Sequence, residues 1–155
     1  MNGPRGLLLV DDNARDREMA IEALRENRLG SEVTALADGA DALDYLYRRG
    51  AFLNRIAVDP AVILLDLKMP KLDGLEVLRI IKGDESLKHI PVVVMTSSRE
   101  EQDVFRGYQL GVNAYVVKPL DFHQFTEAMR VVGAFWILLN EPPRRAPAKG
   151  GNSHA

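Results

Sequence analysis

The sequence predicts an α/β fold, an open, doubly wound sheet of five parallel strands with five helices in three α/β/α layers. Two observations predict it. Five short apolar segments alternate with longer amphipathic segments along the 155 residues, which is the order of strand–helix–strand units. The last three apolar segments show no polar–apolar alternation, the pattern of strands that are buried on both faces of a parallel sheet.

The first half of the chain supplies three strands and two helices. In chain order, these are a strand at Leu7–Val10, a helix from Asn13 to about Asn27 closed by Gly30, a weak strand at Val33–Leu36, a helix from Asp38 to Gly50 and a strand at Ala61–Leu65. The connector at 50–60 is long. Because it contains Phe52, Leu53 and Ile56, we expect it to pack against the rest of the domain.

The second half supplies the remaining elements. They are a helix from Asp73 to Gly83, a strand at Val92–Met95, a helix from Ser98 to Gly111, a strand at Ala114–Val117 and a long helix from Asp121 to about Asn140. Asp73 with Glu76, and Ser98 with Glu101, have the spacing of capping boxes. We expect an N-terminal extension at 1–5, one domain at 6–140 and a disordered, Pro- and Gly-rich tail at 141–155.

Composition excludes several classes of protein. The chain has no cysteine, which rules out disulfide frameworks and thiol chemistry. Its net charge is −2, and its only basic cluster, Arg144, Arg145 and Lys149, is expected to be a solvated part of the tail and not a nucleic-acid surface. No apolar run approaches the roughly twenty residues of a membrane span. Glycine-rich nucleotide-binding loops are absent. We therefore expect a cytoplasmic protein with no nucleic-acid, membrane or nucleotide partner.

Polar residues follow the strands at the edge of the sheet where sites form. Asp11 and Asp12 follow the first strand, and Asp66, Thr96 and Lys118 end or follow the third, fourth and fifth. Carboxylates that lie close together repel unless a cation compensates them, and they suit Mg²⁺ when phosphate is also bound. The pattern predicts a phosphoryl site in which a carboxylate is the nucleophile and an aspartyl phosphate forms.

At these residues the sequence resembles the receiver domain of two-component response regulators. The matching motifs are Leu8–Asn13, Leu64–Pro70 with Asp73-Gly74, Val94–Ser97 and Tyr115–Pro119. The resemblance covers about residues 6–140 and implies the flavodoxin-like, CheY-like receiver fold. It further implies a phosphoacceptor that catalyses only its own phosphorylation and dephosphorylation, not an enzyme acting on other substrates.

The resemblance also implies a role for each site residue. Asp66 would accept phosphate from a sensor histidine kinase, and Mg²⁺ would be held by Asp11, Asp12, Asp66 and the backbone carbonyl of Lys68. Thr96 and Lys118 would contact the phosphoryl oxygens, the Lys118–Pro119 bond would be cis, and Tyr115 would be the switch aromatic. The surface formed by the fourth helix, fifth strand and fifth helix would change and control partners or dimerisation.

Finer features are similar to the stand-alone response regulators of phytochrome-like kinases: the 50–60 connector, Thr96-Ser97-Ser98 and the ending at 135–143. Lys68 lies two residues after the acceptor, where the family varies and often has Asn or another side chain. A cation there could hold the phosphoryl group or alter the access of water, and so change the lifetime of the aspartyl phosphate. A shuttle that passes phosphate to a downstream phosphotransfer protein is the alternative function.

The fifth helix carries two apolar stripes. One, expected to face the sheet, comprises Phe122, Phe125, Met129, Val132, Trp136 and Leu139; the other comprises Ala128, Val131, Phe135 and Leu138, with Ile137 exposed beside it. An exposed stripe of this size is typical of an interface. The hypothesis is a homodimer or kinase-docking surface that includes Val131, Phe135, Trp136, Ile137 and Leu138.

Three rival functions have less support. A phosphohydrolase with an aspartyl nucleophile needs a second carboxylate two residues on, where this chain has Lys68. A binding module that has lost phosphorylation would not need the acceptor and its partners. A transcription factor needs a DNA-binding domain, which the roughly fifteen residues after the last helix cannot form, so we expect the output to be another protein or phosphate passed onward.

Overall fold

The computed structural model describes residues 6–26, 33–141 and 143 and confirms the predicted sheet. The strands are β1 Leu7–Val10, β2 Val33–Leu36, β3 Val62–Leu65, β4 Val92–Thr96 and β5 Ala114–Val117. All pairs are parallel, in the order β2-β1-β3-β4-β5. The chain winds outward in opposite directions from β1 and β3, and such a switch point opens a crevice at the carboxyl ends of the strands.

Five α-helices connect and follow the strands. They are α1 Ala14–Glu26, α2 Gly39–Tyr47, α3 Gly74–Gly83, α4 Glu101–Gln109 and α5 Phe122–Gly133, which continues as a π-helix at Ala134–Leu139. Asp38, Asp73 and Asp121 cap α2, α3 and α5 by accepting a hydrogen bond from the backbone N–H three residues on. The predicted end of the first helix at 27–30, the extension at 1–5 and all but residues 141 and 143 of the tail lie outside the described residues.

Successive strand residues enter opposite layers of the core. Leu8, Ile63 and Val94 pack in the layer that also contains residues of α2 and α3. Leu7, Leu64 and Met95 pack in the other layer, with residues of α1 and α5. Because side chains alternate across a strand and both layers are apolar, β1, β3 and the Val92–Met95 part of β4 have apolar residues at every position.

The outer strands differ from the central ones. β2 and β5 lie at the two edges of the sheet, and their residues are only half-buried. The prediction of burial on both faces is therefore confirmed for β3 and β4 and wrong for β5, because a strand with one neighbour has less of its surface covered.

One of the two predicted capping boxes is absent. Asp73 accepts from the Glu76 N–H at 3.0 Å, as the spacing predicts. Helix α4 begins at Glu101 after Glu100, which makes no capping side-chain bond. Ser98 instead donates its hydroxyl to Asp103 at 2.5 Å. The capping prediction for Ser98 was wrong because α4 begins later than the spacing suggested, at Glu101, which leaves Ser98 two residues before the N-cap position.

Of the three apolar residues that led us to expect the connector at 50–60 to pack, only Phe52 does so. Phe52 ends a 3₁₀ turn at Gly50–Phe52, and its ring meets Tyr45 edge-on with centroids 5.3 Å apart. The Arg55 guanidinium lies 4.1 Å from the centroid of the same Tyr45 ring. The connector therefore packs against the domain, as expected, but through Phe52 and Arg55, whereas Leu53 and Ile56 remain 66% and 78% exposed.

The π-helix changes which residues of the last helix face the sheet. Phe125 and Met129 are buried and Val132 and Trp136 pack on the core, as predicted. Leu139, predicted to face the sheet, is 75% exposed, whereas Ile137, predicted to be exposed, packs on the core. A π-helix has more residues per turn, so a stripe counted with α-helical spacing rotates out of register after Ala134.

The first residue of the same stripe is also exposed. Phe122, predicted to face the sheet, begins α5 and is exposed on its surface beside residues of α1. Phe122 is the first residue of the helix and lies in a groove with residues of α1. None of the helices in the described ranges is both long and apolar enough to cross a membrane.

Candidate functional site

The carboxylates predicted from the strand ends meet at the switch point of the sheet. The Asp11 N–H donates to Leu36 of β2, and the Asp66 N–H donates to Val10 of β1, both at 3.0 Å. Backbone pairing thus continues one residue beyond the strands and holds Asp11 and Asp66 side by side. Both side chains are buried, whereas Asp12 is exposed at the rim.

Lys118, on the loop after β5, reaches across the sheet to these carboxylates. Its Nζ lies 2.7 Å from Asp11 Oδ2 and 3.5 Å from Asp66 Oδ2, and its side chain is only 10% exposed. The Lys118 N–H donates to the carbonyl of Thr96 at 2.7 Å, which fixes the root of the side chain against β4. One ammonium group therefore compensates the buried part of the acidic cluster.

Burial and charge act in opposite directions on this pair. Burial alone would lower the pKa of Lys118, but hydrogen bonds to Asp11 and Asp16, with the charges of Asp11 and Asp66, raise it above its usual value. Burial raises the pKa of Asp11, and hydrogen bonds from Lys118 and the Asn13 N–H oppose that rise. The lysine therefore stays charged, and the cluster retains a fixed positive group.

Asp16 is the residue that sequence reasoning missed. Its Oδ2 lies 2.7 Å from Lys118 Nζ, as close as that of Asp11. It lies in the first turn of α1, where an acidic residue is commonly explained by the helix dipole. It lies in the first turn of a helix that begins directly after the Asp11-Asp12 pair, and this proximity is the signal that could have identified it.

Thr96 and Tyr115 are linked through the loop that follows β4. Thr96 is fully buried at the end of its strand, and its Oγ1 accepts a long hydrogen bond of 3.4 Å from the Ser98 N–H. The half-buried Tyr115 donates its hydroxyl to the Ser98 carbonyl at 3.0 Å. Burial raises the pKa of the Tyr115 hydroxyl, which therefore remains a donor at neutral pH. A movement of Thr96 would therefore be transmitted to Tyr115 through these two hydrogen bonds to Ser98.

Lys68 points toward α4. Its Nζ lies 3.2 Å from Asp103 and 3.9 Å from Glu100. Asp103 also accepts from Ser98, and this hydrogen bond together with Lys68 lowers the pKa of the Asp103 carboxyl. The side chain of Lys68 thus connects the loop after the acceptor to the first turn of α4.

The peptide bond between Lys118 and Pro119 differs from the expectation. No peptide bond is cis within the described residues, so this bond is trans and the predicted cis bond is not observed. The trans isomer of a bond before proline is intrinsically favoured by about 0.5–1 kcal/mol. The motif at 115–119 therefore did not determine the isomer.

The donors present fit a hard divalent cation. One oxygen from each of Asp11, Asp12 and Asp66 lies within 4.8 Å of the others. Asp66 Oδ1 is buried and has no hydrogen-bond partner within the described part of the chain. An unpartnered buried carboxylate oxygen is costly unless a cation or a donor satisfies it. Carboxylate oxygens are the ligands that Mg²⁺ and similar ions prefer.

Comparison with known protein families identifies residues 7–130 as a match to the response regulator receiver domain. Among characterised proteins, the response regulator Rcp1 of Synechocystis sp. is 38% identical over 136 residues, covering 88% of this chain and 91% of Rcp1.

Solved structures of response regulators are also similar to this chain. The phosphorylated cyanobacterial phytochrome response regulator RcpA is 38% identical with a TM-score of 0.85, covering 91% of this chain and 99% of RcpA. The bacteriophytochrome response regulator AtBRR is 56% identical with a TM-score of 0.72, and the match covers 90% of this chain and 100% of AtBRR. A Mn²⁺-bound form of Rcp1 is 37% identical with a TM-score of 0.84, covering 90% of this chain and 99% of that one.

Proposed function

Because the chain belongs to the family of response regulator receiver domains, we propose that it accepts a phosphoryl group on Asp66 from a phosphohistidine of a sensor histidine kinase. The observation that carries the proposal is the Asp66 carboxylate itself. It is buried beside Asp11 and Lys118 and keeps one oxygen without a partner. That oxygen is available as a nucleophile or as a metal ligand.

The proposed transfer is a displacement at phosphorus. An Asp66 oxygen forms the new O–P bond while the P–N bond of the donor breaks, and the electron pair of that bond stays on the imidazole nitrogen. Asp11, Asp12, Asp66 and the carbonyl of Lys68 would hold Mg²⁺, which when bound neutralises charge on the phosphoryl oxygens. Lys118 supplies a second, fixed positive charge and positions the group without a proton transfer.

Phosphorylation then acts as a switch. The phosphoryl group adds about one negative charge and new acceptor oxygens to the crevice. Thr96 donates its hydroxyl to one of them, which pulls on the Ser98 loop and on the Tyr115 hydroxyl bonded to it. The surface of α4, β5 and α5 changes with them, and it is the output surface of the protein.

The kinase partner is of the phytochrome class. The supporting observations are the relatives themselves, since RcpA and AtBRR are described as phytochrome and bacteriophytochrome response regulators. The chain matches both over nine tenths of its length. The site chemistry is common to all kinases that carry a phosphohistidine, so the relatives alone carry this part of the proposal.

Loss of the acceptor carboxylate tests the phosphoryl proposal. After incubation with Mg²⁺ and acetyl phosphate or phosphoramidate, we expect intact mass spectrometry to show one added phosphoryl group on the wild type and none on Asp66→Asn. Asp41→Asn, which removes an exposed carboxylate from α2, is the matched control and remains phosphorylated. A wild type that gains no mass, or an Asp66→Asn variant that gains the same mass, contradicts the proposal.

The end of α5 supports a proposed homodimer. Val131, Phe135, Leu138 and Leu139 are all exposed, and together they form what we call the α5 patch. An exposed apolar patch of this kind suits a two-fold interface, in which a second copy of the chain presents the same patch. Trp136 and Ile137, which the sequence also assigned to the interface, pack on the core and support the patch from beneath.

The dimer proposal is tested by changing the α5 patch. Light scattering of the wild type at high concentration, with and without phosphodonor, is expected to give the dimer mass in at least one state. Leu138→Glu is expected to give the monomer mass, because the charge would be buried in the interface. Ile56→Glu, at an exposed apolar residue of the 50–60 connector, keeps the dimer. A monomeric wild type in both states argues against the dimer.

A further inference from the structure

Lys118 divides its contacts unequally among three carboxylates. Its Nζ lies 2.7 Å from Asp11 and 2.7 Å from Asp16, but 3.5 Å from Asp66. Two of these partners therefore make short charge-assisted hydrogen bonds, and the third contact is long. The ammonium group is held on the α1 side of the crevice, away from the acceptor.

The position of Asp16 is set by the start of α1. Asn13 caps the helix by accepting the Asp16 N–H at 2.9 Å. The Arg17 guanidinium, on the next residue, donates to the Asp11 carbonyl at 2.7 Å and anchors the same turn to the strand end. The Asp16 side chain is 22% exposed, partly shielded from solvent, so its pairing with Lys118 is less screened than an exposed ion pair.

We propose that Asp16 is a positioning residue: it holds the Lys118 ammonium toward α1 and so leaves the Asp66 carboxylate free to bind Mg²⁺. The inference rests on the metal site of the proposed function. A lysine and a divalent cation compete for the same carboxylate oxygens. With Asp16 present, Lys118 has, besides Asp11, an acceptor that is not one of the proposed metal ligands. Without it, the ammonium approaches Asp66, whose Oδ2 already lies 3.5 Å from Lys118 Nζ.

Neutralising Asp16 is the first test. We expect Asp16→Asn to bind Mg²⁺ about 10-fold more weakly in titration calorimetry, the scale of effect seen when a residue that orients metal ligands is lost. Glu18→Gln removes one charge from an exposed position of the same helix and controls for the general loss of negative charge. Asp16→Glu restores the carboxylate and is expected to recover most of the affinity.

A second variant separates the route through Lys118 from a direct charge effect. In a Lys118→Met background there is no ammonium to reposition. There, Asp16→Asn is expected to change Mg²⁺ affinity no more than Glu18→Gln does. An equal loss with and without Lys118 would show that Asp16 acts on the metal directly and would overturn the inference.

A metal-free readout keeps the inference separate from the metal proposal. In a crystal structure of Asp16→Asn without metal, we expect the Lys118 Nζ–Asp66 Oδ2 distance to shorten from 3.5 Å to about 2.8 Å. An unchanged distance overturns the role of Asp16. Failure of the wild type to bind Mg²⁺ contradicts the metal site, and the distance still decides the role of Asp16.

Discussion

Gly74→Ala is expected to lower the free energy of unfolding by about 3 kcal/mol or more, the upper range of overpacking substitutions. A Cβ at Gly74 would lie 2.2 Å from the Asp66 carbonyl oxygen and 2.6 Å from the Leu67 Cα. Gly74 also donates its N–H to the Leu67 carbonyl at 2.8 Å. The first residue of α3 thus lies directly against the peptide that carries the acceptor.

The same substitution is expected to impair phosphorylation. Both overlapping groups are backbone atoms, so no side chain can move aside, and the Asp66–Leu67 peptide must shift. That shift moves the Asp66 carboxylate relative to Lys118 and the other acids. We expect phosphoryl incorporation from acetyl phosphate to fall at least 10-fold even where the variant is fully folded.

Gly83→Ala is the matched control in the same helix. A Cβ there meets nothing within 4 Å. Alanine in a helix is favoured over glycine by about 0.5–1 kcal/mol, so this variant is expected to be as stable as the wild type or slightly more so. Urea denaturation of the two variants measures the difference. A Gly74→Ala variant as stable as Gly83→Ala would contradict the close approach of α3 to the acceptor.

Lys118→Met is expected to destabilise the metal-free protein by about 3 kcal/mol, the cost of leaving buried charges without their partner. The substitution keeps most of the side-chain volume but, within the described residues, removes the only cation that pairs with the carboxylates of Asp11, Asp16 and Asp66. Asp11 and Asp66 are buried, so solvent compensates their charges poorly.

Mg²⁺ is expected to restore much of that stability. A divalent cation replaces the lost positive charge, and a ligand that binds only the folded state stabilises it in proportion to its affinity. Unfolding curves with and without Mg²⁺ should therefore differ more for Lys118→Met than for the wild type. Lys71→Met, at an exposed lysine of the loop before α3, controls for net charge and is expected to behave like the wild type. Equal stability of Lys118→Met and Lys71→Met without metal would argue against the ion-pair cluster.

The sheet and its site are two consequences of one pattern in the sequence. Continuous apolar runs such as Ile63–Leu65 predict central parallel strands, and the carboxyl ends of parallel strands share one edge of the sheet. Asp11, Asp66, Thr96 and Lys118 could thus be placed together without coordinates. The edge position of β5 could not, because strand order depends on which pairs of strands associate in space.

By itself, the sequence determined which side chains meet at the crevice, since backbone direction and strand ends are local properties of the chain. Only the tertiary structure decided how they pair. The contact of Lys118 with Asp16 and that of Lys68 with Asp103 join residues far apart in the chain. Such contacts depend on the packing of helices against the sheet and on the rotamers of long side chains. The exposure of Leu139 follows from the π-helix, whose extra residue per turn no α-helical count anticipates.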